Sequence, residues 1–149
     1  MPYFTRQVAP SGGLILTALI GVSAARRQAL LAAKQPVPNV VNASALVDTG
    51  ASCTCIDPSV LRQLGLTPTG STQINTPSTG AQPASANQYD VSLVILTTAN
   101  LAPLIHATMP VVETELVSMQ GFHVLLGRDV LRGCLLVYDG MNGLFSLAY

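Results

Sequence analysis

The chain has 149 residues, which suits one domain with a sizeable core. Only 9 % of the residues are charged, against roughly 25 % in an average soluble domain, and the formal net charge is zero. This balance provides no basic surface for a nucleic-acid backbone. A chain in which 49 % of the residues are apolar is expected to hide part of its surface by self-association.

The first strongly apolar segment, residues 12–25, admits two interpretations. It is too short to span a bilayer, which takes about 20 apolar residues. A signal peptide would need a basic segment before it, but only Arg6 is there. A buried strand over Leu14–Val22 accounts for the same residues, and we favour it, together with a cytoplasmic location and no membrane partner.

Capping residues indicate where two helices begin and end. Ser23 is the N-cap candidate of a helix over residues 23–35, which Pro36 ends. Asp57 is the N-cap candidate of the next helix, and Gly65 suits its C-terminal end. The later predicted elements are strands Val40–Val47, 89–96, 102–116 and 122–127, a helix over 128–133 and a hairpin over 134–149.

A stretch rich in Thr, Ser, Gly and Pro, residues 67–90, lies between the second helix and the later strands. It is too polar for a core, and we predict a long exposed β-hairpin with its turn at residues 77–81. The chain has no internal repeat and no linker. The sequence therefore predicts one mostly-β domain over residues 1–149, with two or three short helices.

An odd number of cysteines, Cys53, Cys55 and Cys134, makes a poor disulfide framework, so buried free thiols are the simpler interpretation. A metal held by the first two with His106 or His123 is a weaker alternative, because pairs of closely spaced ligands are missing. The two histidines are more simply interpreted as strand residues with satisfied hydrogen bonds. We therefore expect no metal.

Two short motifs carry chemical information. The first, Leu46–Ser52, brings the carboxylate of Asp48 out of an apolar strand and surrounds it with small residues. The second, Leu125–Gly127, is an apolar pair and a glycine, followed by Arg128 and Asp129. With the predicted hairpin between them, this pattern resembles the retropepsin-like aspartic proteases. The resemblance implies a closed barrel-like lobe with a flap hairpin, and an endopeptidase for extended, apolar-flanked peptides that needs no cofactor.

Peptide hydrolysis without a metal needs a base for water and an acid for the carbonyl oxygen, and two carboxylates that share one proton supply both. The resemblance implies that Asp48 is catalytic, that Thr49 hydrogen-bonds across to a partner loop, and that Gly50 permits close backbone approach. The substrate-binding residues that it implies are Ala51, Ser52 and, at the flap tip, Ser78, Thr79 and Gly80.

The chain holds a single Asp-Thr-Gly motif. The second carboxylate must then come from another copy of the chain across a two-fold axis, as the resemblance implies. We expect the C-terminal strand, Leu144–Tyr149, to supply the contact, because it is apolar and would otherwise be an exposed edge.

The sequence leaves three points open. Many retropepsins pair the arginine at Arg128 with an acid two positions past the motif glycine, but Ser52 stands there, which leaves Asp57 as a candidate. Arg128 and Asp129 could instead simply begin a helix, and Asp48 could cap a turn. The rival function is a retropepsin-like binding or dimerisation module without turnover, which captures peptides by strand addition.

Overall fold

The computed structural model describes residues 1–75, 82–97 and 101–149. Strands and short helices alternate along these residues. The strands are β1 Tyr3–Gln7, β2 Ile15–Val22, β3 Val41–Val47, β4 Cys55–Ile56, β5 Gly70–Ile74, β6 Ala84–Ile95, β7 Leu104–Glu113, β8 Val124–Leu126, β9 Leu135–Asp139 and β10 Leu144–Ala148. The helices are α1 Ala24–Ala32, α2 Pro58–Gln63, α3 Val117–Gln120 and α4 Arg128–Leu131.

Six strands close into a barrel in the order β2-β3-β8-β4-β7-β6, because β6 also pairs with β2. Most pairs are antiparallel, but β3 runs parallel to β8 and β4 runs parallel to β7. Closure satisfies the backbone of both would-be edge strands. The predicted mostly-β, closed barrel-like lobe is therefore confirmed.

The barrel interior is built from strands whose side chains alternate between core and surface. In β3, Val41, Ala43, Ala45 and Val47 are buried, whereas the residues between them face outward. The apolar segment near the N-terminus is β2, which pairs with β3 on one side and β6 on the other. Its interpretation as a buried strand is confirmed.

The predicted caps of the first two helices are present. The hydroxyl of Ser23 accepts a hydrogen bond from the N–H of Arg26 at 3.3 Å. The carboxylate of Asp57 accepts from the N–H of Ser59 at 2.9 Å, and Gly65 adopts φ +62° just past α2. Helix α3 begins without a side-chain cap, directly after the segment 102–116 that we predicted as strand. Of that segment, β7 occupies Leu104–Glu113.

A second, three-stranded sheet has the order β1-β10-β9. Strand β1 was not predicted, because Tyr3–Gln7 is short and its two aromatic residues are followed by three polar ones. The expectation that the C-terminal strand is an edge is wrong: β10 is the central strand, and its Phe145 and Leu147 are buried within the same chain. The edges of this sheet are β1 and β9.

Strands β5 and β6 form the predicted hairpin, paired from Gly70 with Gln88 to Ile74 with Ala84. The predicted tip, with Ser78, Thr79 and Gly80, lies outside the described residues. In the described parts of the chain, no helix is long and apolar enough to cross a membrane.

Candidate active site

Asp48 is the first residue after β3, at the rim of the barrel. Its N–H donates to the carbonyl oxygen of Leu126 at 3.0 Å, which continues the ladder between β3 and β8. Its Oδ1 accepts from the N–H of Gly50 at 2.7 Å. A Cβ on Gly50 would lie 3.0 Å from that oxygen, which explains a glycine at this position. The carboxylate is therefore held in a tight turn, half-buried and facing outward.

Arg128, at the start of α4, holds this turn from the other side. Its N–H donates to the carbonyl oxygen of Ala51 at 2.9 Å. Its Nη1 donates to the carbonyl oxygens of Thr49 at 2.8 Å and Gly50 at 3.1 Å. The partners of the guanidinium are thus backbone carbonyls of the Asp-Thr-Gly motif, and the suggestion that Asp57 pairs with it is wrong.

Thr54 and Asp129 form a second connection between the two motifs. Thr54 is fully buried; its N–H donates to Oδ2 of Asp129 at 2.8 Å and its hydroxyl to Oδ1 at 2.7 Å. The same hydroxyl accepts from the N–H of Gly127 at 3.1 Å. Asp129 lies in the first turn of α4 and also accepts from the N–H of Val130 at 2.9 Å. Sequence reasoning saw only the acid's place at the helix start and missed Thr54 altogether.

Gly127 packs against the chain just before Thr54. A Cβ on Gly127 would lie 2.5 Å from both the carbonyl carbon and the carbonyl oxygen of Cys53. Backbone atoms cannot swing aside as the end of a flexible side chain can. The predicted role of this glycine, close packing under the active-site loop, is therefore what the geometry requires.

Asp57 is 3 % exposed and accepts four hydrogen bonds. Its Oδ1 accepts from the N–H and hydroxyl of Ser59, and its Oδ2 from the N–H groups of Leu116 and Val117. Burial alone would raise the pKa of this carboxyl, but the hydrogen bonds from Ser59, Val117 and Leu116 outweigh it and hold the pKa well below its usual range. Asp57 thus fixes α2 against the start of α3.

The outward face of β3 borders two cavities. One, of about 330 Å³, is lined in part by Ser44, Leu46 and Phe122. The other, of about 420 Å³, includes Asp48 and Thr49 in its lining. Ser44 and Leu46 line the first cavity and Asp48 the second, and residues 44, 46 and 48 occupy alternate positions along the chain.

The remaining candidates take no part in this arrangement. Nδ1 of His123 lies 3.0 Å from the hydroxyl of Ser44, whereas Nε2 of His106 is buried without a hydrogen-bond partner among the described residues. The cysteines are free and half-buried, and burial raises the pKa of the Cys55 thiol to about 11. No group of three potential metal ligands occurs within the described ranges.

Of the predicted substrate-binding residues, Ala51 is half-buried and Ser52 exposed, both beside the turn of Asp48.

A family model described as "Aspartyl protease" matches residues 37–130, which is more than half of the chain. The chain belongs to the aspartyl protease family. The chain is similar in structure to a retropepsin-like aspartic protease from Rickettsia conorii, with a TM-score of 0.63 and 18 % identity. The alignment covers 99 % of this chain and 91 % of the other. At this identity the likeness establishes the fold, which is retropepsin-like.

Two further structures align with this chain less closely. The EIAV protease in complex with the inhibitor HBY-793 gives a TM-score of 0.42 and 16 % identity, over 87 % of this chain and 97 % of the other. The foamy viral protease-reverse transcriptase in complex with RNA/DNA hybrid gives 0.43 and 17 %, over 84 % of this chain and 12 % of the other. A search of curated proteins gave no match.

Proposed function

We propose that the protein is an aspartic endopeptidase that acts as a homodimer with one Asp48 from each chain. The observation that carries this proposal is the set of hydrogen bonds that fix the turn containing Asp48. Asp48 faces outward at the barrel rim, one of its oxygens bound by Gly50 and the turn itself bound by Arg128. A carboxylate fixed in this way is pre-organised to position and activate a water molecule.

The need for a second chain follows from the other acids near the site. Asp57 and Asp129 are the acidic residues closest to the two motifs, and both are committed to hydrogen bonds that hold the fold together. Neither can act with Asp48 as a proton-sharing pair. A second Asp48 across a two-fold axis provides the missing acid, because two close carboxylates retain one proton between them.

We propose that the substrate is an extended peptide with apolar side chains around the cut. The cavities along the outward face of β3 would receive those side chains, with Ala51 and Ser52 contacting the peptide backbone. The hairpin of β5 and β6 would act as a flap that covers the peptide and excludes water, with Ser78, Thr79 and Gly80 at its tip. Neither metal nor cofactor takes part, and a cytoplasmic location stays an expectation from the sequence.

The test is cleavage of a peptide library by the wild-type chain and by Asp48→Asn. Asp90→Asn is the matched control, because Asp90 is a half-buried acid on the outer face of β6. We expect pepstatin-sensitive cleavage, fastest in mild acid, that is lost only in Asp48→Asn. Specific activity should fall on dilution through the dimer dissociation constant. Wild-type activity in Asp48→Asn would refute the mechanism, and tight peptide binding without product would instead identify a binding module.

A further inference from the structure

Residues 116–123 form one wall of the cavity of about 330 Å³. Gln120, Gly121 and Phe122 line the cavity from this segment, and Ser44 lines it from β3. Helix α3, which lies within the segment, has no buried residue. Few apolar contacts therefore keep this helix in place, and its position must depend largely on hydrogen bonds.

Both ends of this segment are bound to one residue, Asp57. Its Oδ2 accepts from the N–H of Leu116 at 2.9 Å and from the N–H of Val117 at 2.8 Å. Its own backbone N–H donates to the carbonyl oxygen of His123 at 2.9 Å. Asp57 is 3 % exposed, so water competes little for these hydrogen bonds. The segment is thus a loop whose two ends are fixed to a single buried acid.

Further hydrogen bonds connect the residues that Asp57 binds to the residues that line the cavity. The carbonyl oxygen of Leu116 accepts from the N–H of Gln120 at 2.7 Å. The carbonyl oxygen of Val117 accepts from the N–H of Gly121 at 3.0 Å. Each pair is about one helical turn apart. A change at the carboxylate of Asp57 should therefore displace the lining residues directly, without first disturbing the core of the barrel.

In capping α2, Asp57 uses only one of its two carboxylate oxygens. Oδ1 accepts from the N–H of Ser59 at 2.9 Å and from its hydroxyl at 2.6 Å. In the described part of the chain, the partners of Oδ2 are the N–H groups of Leu116 and Val117. A single acceptor oxygen, as in serine or asparagine, suffices for an N-cap. The second oxygen of Asp57 therefore serves the wall of the cavity.

We propose that Asp57 is a positioning residue for the substrate: by fixing residues 116–123 it sets the shape of this cavity and so determines which side chain binds there. The inference rests on the proposed function, in which the cavity receives a side chain of the peptide. A wall that is already in place favours binding, because a peptide that must order the wall itself loses binding free energy. Asp57 acts through the wall and not on the scissile bond, so it affects peptide affinity rather than the chemical step.

Asp57→Ser separates the two roles of this acid. Serine is a good N-cap residue, so α2 keeps its cap, but the shorter side chain with its single oxygen cannot also bind α3. For peptides with a large apolar side chain in the cavity, we expect KM to rise about 10-fold, which is about 1.4 kcal/mol of binding free energy. For peptides with alanine there, KM should change less than about two-fold, and kcat should change less than about two-fold for both kinds.

Ser59→Ala is the matched control. It removes the hydroxyl that donates to Oδ1 of the same acid and leaves both hydrogen bonds to α3 in place. We expect its KM to equal that of the wild-type chain for both kinds of peptide. A merely structural role of Asp57 would lower the fraction of folded enzyme, and so reduce the apparent kcat for every peptide alike at an unchanged KM. That pattern in Asp57→Ser overturns the inference.

Amide hydrogen exchange measures the wall without any need for catalysis. In Asp57→Ser, residues 116–123 should exchange about 10-fold faster than in the wild-type chain, and in Ser59→Ala they should not. Asp57→Asn keeps the size of the side chain but has one acceptor oxygen, and it should show the same change if Asp57→Ser does not fold. Unchanged exchange of this segment in a folded variant overturns the inference.

These outcomes also separate the role of Asp57 from the proposed function. Cleavage by the wild-type chain, with equal KM values in Asp57→Ser, overturns the role of Asp57 and leaves the protease standing. If the wild-type chain cleaves no peptide, the endopeptidase is refuted and titration with pepstatin, an apolar peptide-like probe, decides the role of Asp57. A dissociation constant raised about 10-fold in Asp57→Ser supports that role, and equal constants overturn it. A chain that neither cleaves peptides nor binds pepstatin overturns both proposals.

Discussion

The carboxylate of Asp129 binds both the backbone N–H and the hydroxyl of Thr54, at 2.8 and 2.7 Å. One acid thus fixes both the backbone and the side chain of a buried residue in the segment that follows the turn of Asp48. The hydroxyl of Thr54 also accepts a hydrogen bond from the N–H of Gly127, so it links Asp129 to the second motif. These hydrogen bonds stabilise the position of Asp48 without direct contact to it.

Thr54→Val tests this connection with a side chain of almost the same shape. It removes the buried partner of the Gly127 N–H and one of the two hydrogen bonds to Oδ1 of Asp129, which keeps the bond from Val130. We therefore expect a loss of about 1–3 kcal/mol in the free energy of unfolding. If the proposed function holds, kcat should fall about 100-fold through displacement of the turn that contains Asp48. Thr17→Val, at an exposed position of β2, is the control. A Thr54→Val enzyme with the wild-type kcat would contradict this account.

Gly127→Ala places a methyl group against the backbone of Cys53. The contact of 2.5 Å cannot be relieved by a side-chain rotation, so we expect a destabilisation of about 1–3 kcal/mol and a large loss of kcat. Gly133→Ala is the matched control, because its added Cβ would lie 3.8 Å from the nearest atom. Chemical denaturation and steady-state kinetics measure both variants, and equal behaviour of the two would be the contrary result.

Asp57→Asn should change how stability depends on pH. The pKa of Asp57 lies below its usual range in the folded chain, so the ionised carboxylate contributes stability above the unfolded pKa of about 3.9. That contribution is lost as the pH falls through the folded pKa. We expect the variant to be less stable by about 2 kcal/mol at neutral pH, and the difference to narrow below pH 4 or so. Denaturation at fixed protein concentration measures this, and a difference that is constant with pH would contradict it.

Tyr89 and Glu113 should be energetically coupled at the base of the hairpin. The hydroxyl of Tyr89 donates to Oε2 of Glu113 at 2.9 Å, and the amide of Asn87 donates to the same oxygen at 2.9 Å. Burial first, and then Glu113, raise the pKa of Tyr89, which keeps the hydroxyl protonated as a donor. A double-mutant cycle with Tyr89→Phe and Glu113→Gln should give a coupling of about 1 kcal/mol.

Amide hydrogen exchange tests whether the hydrogen bond between Tyr89 and Glu113 anchors the hairpin. In Tyr89→Phe we expect faster exchange along Gly70–Ile74. This strand pairs with β6, and β6 has then lost a side-chain hydrogen bond to β7. Peptide binding should restore protection if the hairpin is a flap. Strictly additive substitutions and unchanged exchange would show that the hydrogen bond does not anchor the hairpin.

Local patterns in the sequence predicted the parts of the structure that local interactions determine. The cap at Asp57, the strand that ends at Asp48 and the hairpin arms each depend on neighbours a few positions away. The partners of Arg128 could not be predicted, because they are backbone carbonyls, which every residue has. The partnership of Thr54 with Asp129 spans 75 residues, and neither residue type indicates the other.

The order of the strands could not be predicted from the sequence either. The C-terminal strand buries alternate residues, as an edge strand and a central strand both can. Only the pairing of β1 on its far side makes it central, and β1 is short and polar enough to escape notice. Topology therefore decides which strands lie at the edges of the sheet, and the C-terminal position of a strand was a misleading guide to it.

The separation of 75 positions between Thr54 and Asp129 bears on the order in which the site forms during synthesis. A ribosome that has translated the chain as far as the hairpin has already made Asp48, Thr49 and Gly50, but not Leu126, Arg128 or Asp129, which fix the turn from the other side. Contacts between distant segments form late, because a long loop must close before they stabilise anything. We therefore expect the turn of Asp48 to stay unassembled in the nascent chain until Asp129 has left the ribosome.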